Sequence, residues 1–107
     1  MAPRVELLWW EGCPSTGRAL EELRAALADV GLDPAAVQLR EVSTDEQAQR
    51  ERFAGSPTFL IDGADVFPTG EEPAGLTCRI YHTGEGRVSP TPGREQLRDA
   101  LARLVVA

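Results

Sequence analysis

The sequence predicts a single α/β domain, a mixed β-sheet with helices on both of its sides. Three observations predict it. The chain has 107 residues, enough for one domain with one modest core. Apolar residues change from the short continuous run of a buried strand to helical spacing and back. Turn-forming residues stand where those patterns change.

Residues 4–10 open the series. Val5, Leu7 and Trp9 fall on one face, Leu8 and Trp10 on the other, as in a strand buried on both sides. Glu11-Gly12 ends it. Cys13-Pro14 then opens a helix, since proline in a first helical turn has its φ already set and forfeits no bond. Ala19, Leu20, Leu23, Ala26, Leu27 and Val30 follow at helical spacing. Gly31 is a natural end, and Asp33-Pro34 prevents continuation.

Residues 37–42 alternate apolar and polar and read as a second strand. Thr44-Asp45-Glu46-Gln47 fits a capping box. The short helix after it, to about Phe53, offers only Ala48 and Phe53 for packing and should lie on the surface. Gly55-Ser56-Pro57 punctuates. Thr58-Phe59-Leu60-Ile61 is a strand by composition, Asp62-Gly63 is a strong hairpin turn, and residues 64–67 form the returning strand. Residues 68–75 read as a loop. Residues 76–81 fit a strand or a short helical turn, and periodicity does not choose. Gly84-Glu85-Gly86 turns the chain. Thr91-Pro92 opens a last helix whose stripe is Leu97, Ala100, Leu101, Leu104 and Val105. The order is β-α-β-α-β-β-loop-α, with a parallel, right-handed first crossover.

The net charge is −6, and all eleven basic residues are Arg. An acidic chain repels phosphate backbones and anionic lipid, so neither nucleic acid nor a bare membrane is an expected partner. The apolar run of residues 7–10 is too short for a signal segment or a membrane span. A cytoplasmic location follows as an expectation, where thiols stay reduced. The two cysteines, Cys13 and Cys78, form no Cys-x-x-Cys pair.

Two stretches resemble the thioredoxin superfamily. Trp9-Trp10-Glu11-Gly12-Cys13-Pro14-Ser15-Thr16 is similar to that superfamily's Trp-Ala-Glu-Trp-Cys-Gly-Pro-Cys, with Trp9, Glu11 and Cys13 on matching positions. Ser56-Pro57-Thr58 is similar to its Ile-Pro-Thr, whose proline is cis, and Phe59 to Gly63 looks like the strand and turn that follow. The resemblance covers about residues 4–67 and the closing helix. It implies a thioredoxin-like fold over residues 1–107, a mixed four- to five-stranded sheet flanked by helices, with an insert at about 68–90 after the hairpin. Together with the insert's Gly75-Leu76-Thr77-Cys78-Arg79-Ile80-Tyr81, these motifs look like a group of small bacterial thioredoxin-like proteins. Members are sometimes labelled alkylmercury-lyase-like or selenoprotein homologues. Two departures stand out. Thr16 occupies the place of the resolving cysteine, and Leu7 that of a buried acid which serves it.

The resemblance implies that Cys13 is the nucleophile. The thiolate is the reactive form, and a free cysteine is mostly protonated near neutrality. Unpaired N–H groups at a helix N-terminus stabilise an anion, so a helix starting at Pro14 would activate Cys13, with Ser15 and Thr16 adding donors. The plainer alternative is a buried cysteine acting as a small hydrophobe. A cis bond at Pro57 would turn the backbone of Ser56 toward Cys13, open to an extended peptide or glutathione; a trans proline would merely start the strand. Cys78 has three readings: resolving thiol for Cys13, packing residue, or metal ligand with His82 at Cys-x-x-x-His spacing. Trp10 either lines the pocket or joins the core. Arg79 either holds a substrate carboxylate or is an ordinary surface arginine.

The expected site therefore has Cys13 and Cys78 as catalytic residues. Trp10, Gly12, Pro14, Ser15, Thr16, Ser56, Pro57 and Thr58 surround the substrate. No cofactor and no resident metal are expected. Three functions compete. In the first, a monothiol oxidoreductase uses Cys13 to attack a disulfide or take up peroxide, and Cys78 or a low-molecular-weight thiol clears the product; its partner is a protein disulfide or such a thiol. In the second, Cys13 and Cys78 bind a soft metal or an organomercurial. In the third, the fold is a non-catalytic adaptor for a partner peptide.

Overall fold

β1 (Val5–Trp9) lies at the centre of a four-stranded sheet ordered β2-β1-β3-β4. A computed structural model describes residues 3–68, 73–83 and 86–105. β2 (Val37–Glu41) runs parallel to β1, with Leu7 opposite Leu39. β3 (Thr58–Ile61) runs antiparallel on the other side, with Leu7 opposite Phe59. β4 (Ala64–Asp65) is the short return of the hairpin. Asp62 and Gly63 both take positive φ, 51° and 85°, the conformation a two-residue hairpin turn needs.

Three helices flank this sheet. α1 (Thr16–Asp29) and α3 (Arg94–Val105) cover one face, and α2 (Asp45–Glu51) the other. Strand alternation sorts the core accordingly. Val5, Leu7, Phe59 and Ile61 pack with Leu23, Leu27, Leu97 and Leu101. Leu8 and Leu60 pack with Val42, Ala48 and Phe53. Each large side chain buried in this way contributes about 1.5–3 kcal/mol. α2 buries only Ala48 within its own span, and Phe53 follows it into the core, as its polar sequence requires.

Its capping box closes in a variant form. Thr44 Oγ1 accepts from Gln47 N at 3.1 Å, but the Gln47 side chain reaches Ser43 N, at 2.9 Å, one residue before the cap. α1 and α3 are joined through Glu22. Its carboxylate accepts from Thr91 Oγ1 and from Gly93 N, both at 3.0 Å, and so clamps the residues that lead into α3.

Four details differ from the sequence reading. α1 begins at Thr16, so Cys13 and Pro14 precede it in a turn closed by Cys13 N donating to Trp10 O at 3.0 Å. Leu39, an apolar position of the alternating strand pattern, is exposed, and β2 that carries it is an edge strand of the sheet. Val66 and Phe67 follow β4 rather than belong to it. Residues 76–80 are neither helix nor regular strand; Cys78 forms an isolated bridge to Ser56, and a small hairpin of β5 (Tyr81–His82) and β6 (Val88–Ser89) follows. Residues 69–72 of the expected 68–75 loop, and Gly84 and Glu85 of the expected turn, lie outside the described residues. Among the described residues no helix is long and apolar enough to cross a membrane.

Candidate functional site: two thiols beside Ser56

Cys13 and Cys78 come together. Cys13 reaches the site from the turn after β1, and Cys78 from the segment between the two hairpins. Ser56 is the residue they share. The Ser56–Pro57 peptide bond is cis. The Ser56 carbonyl accepts from the Cys13 thiol at 3.3 Å and from Arg79 N at 2.9 Å. Ser56 N donates to Thr77 O at 2.8 Å, and Ser56 Oγ accepts from Trp10 N at 3.1 Å. Cys78 sits between the two backbone bonds, paired in parallel with Ser56.

The segment around Cys78 is anchored at both ends. Gly75 N donates to Phe53 O at 3.0 Å, and Gln49 Nε2 to Ala74 O at 3.2 Å. At the far end Gly55 has φ 130°, and a Cβ there would stand 2.8 Å from Arg79 N. Glycine is what lets the two backbones approach. The Arg79 side chain runs inward. It donates to Asp65 Oδ2 at 2.9 Å, to Thr58 Oγ1 at 3.2 Å and to the Phe67 carbonyl, and its guanidinium lies 4.8 Å from the Tyr81 ring centre. Tyr81 donates its hydroxyl to Pro57 O at 2.5 Å. A buried guanidinium is tolerated only when paired and hydrogen-bonded in this way.

The two sulfurs differ in access. Cys13 is 7% exposed, whereas Cys78 is exposed. Partial loss of water around it pushes the Cys78 thiol up, as do its interaction with the Cys13 thiol and the negative charge Cys13 can carry. The sulfur of Cys13 has a carbonyl oxygen and a second thiol as its partners, where the sequence reading expected first-turn N–H groups.

The other expected site residues divide. Trp10 joins the α2-side core and also folds its ring over Gly12, where an added Cβ would meet the indole at 2.4 Å. Pro14 is exposed, Ser15 is the cap residue of α1 without a side-chain cap bond, and Thr16 Oγ1 is buried with no hydrogen-bond partner among the described residues. Ser56 and Thr58 are 0% and 2% exposed. Thr58 Oγ1 donates to Gly55 O at 2.6 Å and accepts from Arg79 at 3.2 Å. The expected free backbone edge at Ser56 is thus corrected: residues 77–79 of the same chain occupy it.

Two further expectations change. Arg79 is a buried, fully engaged side chain rather than a surface arginine or a carboxylate receptor. Cys78 and His82 do not share a helical face, because the backbone between them is not helical; His82 stands in β5 with its carbonyl accepting from Gln96 Nε2. Among the described residues no group of three or more His, Cys, Asp or Glu side chains could hold a metal ion. Asp65 was missed from sequence, where it reads only as a turn-flanking acid. Comparison of the chain with protein-family models, with curated proteins and with solved structures finds no match.

Proposed function

We propose that this protein is a cytoplasmic thiol redox protein of thioredoxin-like fold, in which Cys13 and Cys78 alternate between two thiols and one disulfide. The observation that carries this reading is the convergence of the two cysteines on Ser56, whose carbonyl accepts from the Cys13 thiol at 3.3 Å and whose backbone pairs with Cys78. The fold assignment draws support from a cysteine after the first strand, a parallel β1–β2 pair, an antiparallel β1–β3 pair and helices on both faces.

The chemistry balances as follows. One cysteine thiolate attacks a sulfur of a disulfide R–S–S–R, forming a mixed disulfide and releasing one RS⁻, which takes up a proton. The second cysteine, deprotonated, attacks the first cysteine's sulfur and releases the second RS⁻. The substrate gains two electrons and two protons, and the protein loses them as its Cys13–Cys78 bond forms. A low-molecular-weight thiol reverses the cycle. Cys78 would therefore supply the resolving thiol that position 16 lacks.

The test is intact-mass measurement of the reduced protein before and after a mild disulfide oxidant. The expected result is loss of the mass of two hydrogens, with a Cys13–Cys78 linked peptide on digestion. Absence of that link under every oxidant that oxidises the protein would sink the reading.

The paired sulfurs favour one second reading, a two-coordinate site for a soft cation such as copper(I) or an organomercurial. One equivalent bound tightly, with both Cys13→Ser and Cys78→Ser abolishing it, supports that reading. The adaptor reading draws less support, because residues 77–79 pair with the Ser56 backbone that a partner peptide would use.

A further inference from the structure

The backbone of Ser56 has no hydrogen-bonding capacity left for an extended ligand. Its N–H is taken by Thr77 O, and its carbonyl by Arg79 N and the Cys13 thiol. The occupying segment is held by an interior cation, Arg79, on Asp65, Thr58 and Phe67. A peptide strand could pair with Ser56 only by displacing residues 77–79 and withdrawing that guanidinium. New strand hydrogen bonds to Ser56 would only replace, one for one, those that residues 77–79 already make, and would leave the Arg79–Asp65 pair broken with nothing in return.

We infer that Cys78 is the thiol that meets the substrate, that Cys13 resolves it from beneath, and that the substrate is a low-molecular-weight disulfide rather than an extended peptide. This rests on the redox reading above and reverses the order of the two thiols that the motif around Cys13 implies. Access decides the order. A thiolate must approach a disulfide along the S–S axis, and of the two residues Cys78 is the exposed one, Cys13 being 7% exposed. Charge narrows the class. The chain carries −6 and the nearby guanidinium is already paired, so an uncharged disulfide meets less repulsion than an anionic one.

The reaction follows the balance already given. The Cys78 thiolate takes one RS group and releases the other as RS⁻, which is protonated. Cys13 gives its proton to solvent, attacks Cys78 Sγ and expels the second RS⁻. The products are two RSH and the Cys13–Cys78 disulfide.

The probe is hydroxyethyl disulfide, a small neutral disulfide, applied to reduced full-length protein with peptide mapping at timed quenches. Cys13→Ser should accumulate a mixed disulfide on Cys78. Cys78→Ser should react at Cys13 at least tenfold more slowly. Wild type should pass directly to the Cys13–Cys78 bond. Both substitutions are mild, since Cys78 is exposed and a serine at position 13 keeps a donor for the Ser56 carbonyl; iodoacetamide labelling of wild type, mapped residue by residue, gives the same order without any variant. Capture on Cys13 in Cys78→Ser as fast as capture on Cys78 in Cys13→Ser would overturn the order while leaving the redox reading intact. Reduction of insulin disulfides as fast as the probe would overturn the size restriction. Failure of wild type to form the Cys13–Cys78 bond at all would instead remove the redox reading beneath both.

Discussion

Cys13 and Cys78 meet on the backbone of Ser56, which accepts from the Cys13 thiol at 3.3 Å and pairs with Cys78, although the two cysteines belong to segments far apart in the chain. The contact makes each thiol part of the other's environment.

The first prediction concerns pH. Partial loss of water, the interaction with the Cys13 thiol and the charge of Cys13 hold the Cys78 thiol above its ordinary range. Alkylation of Cys78 in wild type should therefore rise with pH later than for a free thiol, whose pKa is about 8.5. Cys13→Ser removes the charge, and the Cys78 profile should move to lower pH. The linked effect on stability has a definite sign. A thiol whose folded pKa is raised contributes stability below its unfolded pKa and loses it as pH rises through the folded value. Wild type should therefore weaken at alkaline pH more steeply than Cys13→Ser, in denaturant titrations at several pH values. Identical alkylation profiles in the two proteins would contradict the coupling.

The second prediction concerns Arg79. Arg79→Ala leaves Asp65 without its cation, empties a buried space and frees the 77–79 segment. The expected loss is roughly 3 kcal/mol, the low end of the range for a broken buried pair, because the Asp65 side chain is 23% exposed and water compensates it in part. Urea denaturation measures this. The same variant should alkylate faster at Cys13, since the covering segment loses its anchor. Unchanged Cys13 labelling in a destabilised Arg79→Ala would show that Arg79 supports the fold without holding that segment.

These relationships explain what the sequence discloses and what it conceals. The β1-α1-β2 unit, the cap at Thr44 and the Asp62-Gly63 turn are local signals, and each forms close to its pattern, with α1 starting at Thr16 and the Gln47 side chain reaching Ser43. The segment of residues 76–81 inverts the usual rule. Ile80 is 62% exposed and Arg79 is 3% exposed, so hydrophobic patterning points both side chains the wrong way. Arg79 goes inward because Asp65, Thr58 and the Phe67 carbonyl wait there, and no local pattern announces those partners. Glu6 hides in the same manner, 5% exposed between Arg4 and Arg40. The meeting of Cys13 and Cys78 was one of three open readings, because it depends on long-range pairing through Ser56 that spacing alone does not encode.

The third prediction concerns Glu22, which accepts from Thr91 Oγ1 and Gly93 N before α3. Glu22→Ala leaves both donors without their acceptor and should destabilise the protein by about 1.5–3 kcal/mol, the range for hydrogen bonds to a charged group. Glu22→Gln retains one acceptor oxygen and should lose less. Hydrogen exchange should show the first turn of α3 opening in Glu22→Ala while β1 and β3 stay protected. Uniform loss of protection across the sheet would mean that α3 does not open on its own.

The last prediction concerns acid stability. Arg40 bridges Glu51 with two hydrogen bonds, at 3.1 and 2.8 Å, and also meets Glu6 at 2.6 Å, tying α2 to the sheet. The Arg40 hydrogen bonds hold the Glu51 carboxyl below its ordinary value, outweighing the opposing effect of burial. A carboxyl lowered in the folded state contributes stability above its unfolded pKa and loses it as pH falls through the folded one. The Glu51 contribution should thus be whole near neutrality and disappear below about pH 4.5, the ordinary value. Glu51→Gln carries no titrating group there, so its stability should fall less between pH 5 and pH 3 than that of wild type. The measurement is urea denaturation across that window. Parallel curves for the two proteins would show that the exposed part of this ion pair is screened by water and contributes nothing to the folded state.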